Sequence, residues 1–411
     1  MGDGIDPVTG ALQFPHTDID LSGNSDLTVR LSRKRSLGWR HDYLLDEEFG
    51  DWELDVPKIS ALTTEDRLWR NGGNRCSSDY LESFPPWETV VLPPLFDPNG
   101  GRAQHIRIDP DTYSNGIHVS VPVKALTEMF HSRKRGGKYT DPGQPNDPYP
   151  ENAGFVTTDG WYFTCTNAGI RVATNLDYEP ASLDEGFIGH SPDGLKYYFN
   201  FVYVKRAVDQ RWSVRSSVAP QKFIVSIVAT RVEDSHGNTV SYEYDRLGRL
   251  LRIVATDGRH IDISYNGDSK LISSATANNR TWQYKYRRSR YVFQEGLLLA
   301  GSISSSQVLD AVLQPDGLSW SFNLDGMSAT PAPAPTCGRH QQVVTLLHPN
   351  GSRGQFTLTQ RDIRVSLNKL LREYKWCPDP DPTSPNSKPR YSNSTPRDCS
   401  PSDVWCCSQT T

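Results

Sequence analysis

The chain has 411 residues, 36% of them hydrophobic, with a formal charge of −4 and a pI near 6.2. That length can bury more than one domain-sized core. The charge balance argues against nucleic acid or anionic lipid as a partner, and the longest apolar runs, such as Leu297–Ala300, are too short for a membrane-spanning helix. The start, Met1-Gly2-Asp3-Gly4-Ile5-Asp6, is polar and reads against a secretory apolar core. With 18 Tyr, 14 Phe and 10 Trp against 3 Met, the composition favours pleated surfaces over helical bundles.

In chain order, residues 1–45 read as a β segment and 46–220 as a divergent β-rich region. Within the latter, a short helix is expected near 122–132. Val123, Leu126 and Phe130 stand at i, i+3 and i+7, with Pro122 in the first turn and Gly136-Gly137 beyond. Thr158-Asp159-Gly160 followed by Trp161-Tyr162-Phe163 predicts a turn and strand. The same signal recurs as Pro-Asp/Asn-Gly-x4-Phe at Pro192–Phe199, Pro315–Phe322 and Pro349–Phe356.

Residues 221–361 contain the most informative stretch. From Arg231 to Phe293 the sequence repeats every 21 residues. One column holds Tyr244, Tyr265 and Tyr286. Before it stand Tyr242, Ile263 and Tyr284, and before those Val240, Ile261 and Trp282. A further apolar column holds Leu250, Leu271 and Val292. The turn column is Gly237, Gly258 and Asn279, residues that tolerate positive φ. Each unit holds two short strands and two turns, so it is one hairpin. A hairpin cannot bury its face alone, and the units must stack. Residues 362–376 predict a second short helix from the stripe Ile363, Leu367, Leu370, Leu371 and Tyr374. The Pro- and Ser-rich stretch 377–411 predicts a disordered tail.

Motifs that carry chemistry are absent. There is no Gly-x-Ser-x-Gly, no His-Glu-x-x-His and no phosphate loop, so no catalytic, cofactor-binding or metal-binding residue is expected and the chain reads as no enzyme. His41 and His348 read as polar surface or turn residues. Seven cysteines include Cys76, Cys165 and Cys337 in the body, which read as small buried hydrophobes rather than bridges. The clusters Arg33-Lys34-Arg35, Arg133-Lys134-Arg135 and Arg287-Arg288-Ser289-Arg290 read as solvated loops or edge-strand protection.

The stretch Gly237 to Ile253 resembles the YD repeat of the RHS family, whose pattern is Gly, a spacer, Tyr-x-Tyr-Asp, two residues and Gly-Arg-Leu. Gly237, Tyr242, Tyr244, Asp245, Gly248, Arg249 and Leu250 match it. The later units keep Gly258, Tyr265, Leu271, Tyr284 and Tyr286 but replace the Asp with Asn266 and Arg287. Asp6-Pro7-Val8-Thr9-Gly10, Thr17-Asp18-Ile19-Asp20-Leu21 and Leu37-Gly38-Trp39-Arg40-His41-Asp42-Tyr43 resemble the N-terminal segment of such proteins.

The resemblance implies an all-β fold of stacked hairpins, a shell or solenoid fragment with one or two short helices. It also implies an extracellular or envelope location, and a structural role in enclosing or presenting a C-terminal effector in bacterial competition. Long members of the family release that effector at an Asp-Pro-x-Gly core. Only Asp97-Pro98-Asn99-Gly100 has this form here, upstream of the repeats, and it reads as a turn. The chain therefore resembles the front part of a family member, whose partners would be the remainder of a split protein or its effector. A surface module binding carbohydrate or a partner cell is the alternative, and an orphan without independent function a third.

Overall fold

The computed structural model describes residues 4–5, 12–23, 27–37, 48–64, 76, 88–92, 104–108, 116–122, 124, 126–131, 153–174, 185–206, 222–289, 293–294, 303–304, 307–324 and 341–359. Every regular element among them is a strand, so the fold is all-β. An N-terminal sheet contains β1 (Gly4–Ile5), β2 (Leu12–Leu21), β3 (Val29–Leu37) and β4 (Glu53–Leu54) in that order. Next come β5 (Lys58–Thr64), a separate ladder of β6 (Glu88–Leu92) with β7 (Gln104–Ile108), β8 (Ile117–Ser120) and β9 (Thr127–His131). They are followed by β10 (Phe155–Thr157), β11 (Tyr162–Thr166), β12 (Arg171–Val172), β13 (Gly186–His190), β14 (Lys196–Arg206) and β15 (Lys222–Glu233).

Pairing runs from β5 through β8, β9, β10, β11, β13, β14 and β15 and back to β5, which closes a ring. Its interior is filled by aromatic rings. Phe155, Phe163, Phe187 and Phe199 are fully buried, and a Cβ on Gly189 would stand 2.9 Å from both Phe163 and Phe199. The ring is a packed core.

From β15 an antiparallel meander continues through β16 (Thr239–Tyr244), β17 (Leu250–Ala255), β18 (His260–Tyr265), β19 (Ile272–Ala277) and β20 (Arg280–Arg288). A small ladder of β21 (Phe293–Gln294) and β22 (Ile303–Ser304) intervenes. The meander then resumes from β20 to β23 (Gln307–Leu313), β24 (Ser319–Asn323), β25 (Gln341–Leu347) and β26 (Arg353–Thr359). Its inner face packs on the N-terminal sheet. Phe49 meets Tyr284 at 4.7 Å, Trp52 meets Phe322 at 5.4 Å and Phe14 meets Phe356 at 5.5 Å between ring centroids.

Three expectations are corrected. The segment expected to be helical near 122–132 is a turn followed by a strand. Lys124 N–H donates to Val121 O with Pro122 between them, and β9 is bonded on both sides, to β8 and β10. Its period-2 pattern puts Met129 inside and Phe130 outside, and two flanking ladders outweigh the i, i+3, i+7 spacing. Cys76 and Cys165 are not isolated hydrophobes: they form a disulfide with a Cα separation of 5.4 Å. Arg33, Lys34 and Arg35 lie inside the molecule, not in a solvated loop or on a protected edge. The helix expected at 362–376, the tail 377–411, His41 and the Arg133–Arg135 cluster lie outside the described residues.

Candidate functional site

A single turn geometry recurs along the chain. In Asp234–Asn238, Asp245–Arg249 and Ala255–Arg259 the first residue's N–H donates to the fifth residue's carbonyl, and the fourth residue, Gly, donates back to the first carbonyl. The same pair of bonds closes Thr157–Trp161, Ser191–Leu195, Gln314–Leu318 and His348–Ser352. This is a type I turn ending in a left-handed residue, which suits the twist of a hairpin. Gly237, Gly248 and Gly258 take φ of +82°, +85° and +91° in it. The third repeat instead turns on Asn278 and Asn279, with φ of +50° and +59°, the tight two-residue form.

The Tyr-Asp-x-x-Gly-Arg-Leu motif is most complete at Tyr244–Leu250. The Asp245 carboxylate accepts from the N–H groups of Leu247 and Arg249, both at 2.9 Å, and from Arg249 Nε at 2.7 Å. Arg249 then lies 5.0 Å from the Tyr265 ring centroid, and its Nη1 donates to Gly267 O and Ser269 O. The guanidinium thus joins one hairpin turn to the next.

The tyrosine column forms a second tie. Tyr244, Tyr265 and Tyr286 each follow a register shift and stand opposite Leu250, Ile272 and Leu309 respectively. Tyr265 Oη donates to Leu250 O at 2.9 Å and Tyr286 Oη to Ile272 O at 2.6 Å, so each phenol reaches the residue facing the tyrosine before it. Tyr244 Oη reaches Ala229 O at 3.4 Å. Tyr244 is buried, while Tyr265 and Tyr286 are half-buried against the same core. Burial pushes the phenol pKa values of Tyr244, Tyr265 and Tyr284 upward and keeps them neutral donors. Tyr242 and Tyr284 are buried beside them.

Leu271 does not occupy the buried column. The loop from Asn266 closes on Leu271, one residue longer than the loop from Asp245 to Arg249, so Ile272 takes the position facing Tyr265. Val292 lies outside the described residues.

Below the repeat wall lies a cluster that sequence reasoning missed. Arg33 is completely buried, held by Asp18 through Nε at 2.9 Å and Nη2 at 3.3 Å. Its guanidinium is sandwiched between Trp52 at 4.4 Å and Phe322 at 4.8 Å. Asp18 also accepts from Tyr284 Oη at 3.2 Å and contacts His16 Nε2 at 3.3 Å. Burial pushes the Asp18 carboxyl up, but the Arg33 charge and the His16 contact outweigh it and hold the group at about 2. Lys34 pairs with Asp55 and donates to Ser120 Oγ, and Arg35 pairs with Asp51 while its Nη2 donates to Leu324 O at 2.9 Å. A signal for this was present: three cations on one strand, with Asp18, Asp51 and Asp55 nearby in sequence.

In the later basic cluster, Arg287 pairs with Asp310 at 3.0 Å and Arg288 is exposed. His348 is a turn residue: its Nδ1 accepts from Asn350 N–H, and its ring meets Trp320 edge-on at 4.3 Å. A cleft bordered by Glu48, Lys205, Gly248, Arg249 and Lys270 has about 30 Å³ of free space, enough for about two waters. Two of its cations pair with carboxylates, Lys205 with Glu48 at 3.2 Å and Arg249 with Asp245.

The antiparallel wall carries a YD-type motif at Tyr244–Leu250, and phenol hydrogen bonds from Tyr265 and Tyr286 tie neighbouring hairpins along it. A family model described as RHS Repeat matches residues 229–260, from the end of β15 to the start of β18. No curated protein matches the chain.

Proposed function

We propose that this chain is a non-enzymatic structural piece of an RHS-type shell, serving to enclose or present an effector in bacterial competition. The observation that carries the reading is the repeat wall itself, in which the motif residues bind one another and the neighbouring hairpins. Asp245, Gly248, Arg249 and Tyr265 are consumed in that structure. Its partner would be the remainder of a split shell protein or the effector that protein carries. Expression inside a bacterium without a protective partner should leave growth unchanged. Growth arrest abolished by replacing one polar side chain would show an enzyme and sink the reading.

A second reading, a surface or secreted module that binds carbohydrate or a partner cell, is favoured by two observations. The Cys76–Cys165 disulfide suits an oxidising compartment outside the cytosol. The outer face of the ring carries Tyr162 stacked on His190 at 4.3 Å, with Val156 standing between Tyr162 and the exposed Phe130. A glycan array separates the readings: saturable binding that Tyr162→Ala removes would favour the module over the shell.

A further inference from the structure

We propose that two copies of this chain dimerise by pairing their β26 strands antiparallel about a two-fold axis at Gln355. β26 closes the meander on β25, and among the described residues no strand pairs its other edge. The ring cannot supply one, since both edges of β5 are taken, by β8 and β15. The ladder shows which backbone groups stand free. His348 N–H donates to Ser352 O at 2.8 Å at the turn, and bonded and unbonded pairs alternate from there. Gly354 and Phe356 therefore spend their backbone groups on Leu346 and Val344, while those of Arg353, Gln355 and Thr357 point away from β25. The strand also lacks what usually blunts an edge. It runs seven residues against β25 without a register shift and holds neither Lys nor Pro.

The occupant is a second copy because the edge is complementary to itself. With the axis at Gln355, the two Gln355 amides face each other, and each both donates and accepts. Arg353 then faces the partner's Thr357, which sets the two cations at opposite ends of the ladder. An in-register parallel pairing would set them side by side, at a cost. Gly354 faces the partner's Phe356. That ring is half-buried, whereas Val312, Phe322 and Val344 on the same inner face are buried, and the facing glycine leaves it room to extend across the joint. Each facing pair exchanges two main-chain hydrogen bonds, and the joint is isologous. Charge falls away toward this edge. Arg353 is the single charged residue of β24, β25 and β26, whereas the outer face of β16 to β20 carries Glu243, Arg252, Asp262 and Lys285.

Sedimentation equilibrium of the full chain over a concentration series tests the proposal. The unmodified protein should show a monomer–dimer equilibrium at micromolar concentrations. Thr357→Pro removes an edge-facing N–H without touching the ladder to β25, and should weaken dimerisation at least ten-fold. Gln355→Lys and Gln355→Glu should each stay monomeric where the unmodified protein is dimeric, because like charges meet at the axis. Mixed in equal amounts, the two should dimerise again, one of each. Both replace an exposed side chain, so this pair decides the matter even if the proline variant does not fold. An unmodified chain that stays monomeric, its edge filled by another stretch of the chain or kept for a different protein, overturns the proposal. So does a dimer indifferent to these substitutions, or a mixture that stays monomeric.

Discussion

At the scale of single residues, the phenol hydroxyls and the turn glycines separate contributions that packing alone would merge. Tyr265→Phe keeps the ring and removes the bond to Leu250 O, and should lower unfolding free energy by about 1 kcal/mol. Tyr265→Ala also removes the ring against which Arg249 rests, and should cost roughly 3 kcal/mol. Denaturant titration of the two variants gives both values. A loss below about 1 kcal/mol for the alanine variant would contradict stacking through this column. Gly248→Ala places a side chain at φ +85° and should destabilise by about 1 kcal/mol or more, measured the same way. These positions were legible in the sequence because each acts locally. The glycine and tyrosine columns share the 21-residue period, and a turn needs only its own few residues to close. Leu271 misled because one additional loop residue moves the buried position to Ile272, and a column alignment has no means of registering a local insertion.

Between elements, the decisive energies are electrostatic and long-range, and the sequence showed them only as a run of cations with carboxylates nearby. Arg33-Lys34-Arg35 has the composition of a surface strand, and only the approach of residues far away in the chain, such as Phe322 and Tyr284, makes it internal. The β9 strand was hidden for a related reason. Its ladders to β8 and β10 are tertiary, while the helical spacing of its apolar residues is local. Asp18→Asn should destabilise by roughly 3–5 kcal/mol, because it leaves the Arg33 charge buried without its counter-ion. Asp18 and Glu48 are both held at about 2, Glu48 because the Lys205 charge and backbone hydrogen bonds outweigh the upward push of burial. A carboxylate with a depressed folded pKa contributes stability that is complete above its unfolded value. That contribution is lost as pH falls through the folded value. The protein should therefore weaken between about pH 5 and pH 2, by about 2 kcal/mol for each of these groups. Equilibrium unfolding at stepped pH should show this slope, and Asp18→Asn should flatten it.

For the molecule as a whole, the disulfide and the shared strand β15 set how the parts hold together. Cys76 and Cys165 are 89 residues apart in sequence, so their bond closes a long loop in the unfolded chain. Reduction, or Cys165→Ser, should lower stability by about 4 kcal/mol on the chain-entropy account. Denaturant unfolding with and without reductant measures it. β15 has ring strand β5 on one edge over Lys222–Val228 and wall strand β16 on that edge over Arg231–Glu233, while β14 follows it from Phe223 to Glu233. At the change of partner, Ala229 donates to Pro57 O and its carbonyl accepts from Tyr244 Oη. This arrangement has a mechanical consequence. Tension drawn along the chain from the β26 end would peel the meander one hairpin at a time, since each ladder there can open like a zipper. On reaching β15 it would meet a strand clamped on both edges, where many hydrogen bonds must shear together. A force–extension trace should show a series of low, sawtooth releases and then a single high rupture at the ring.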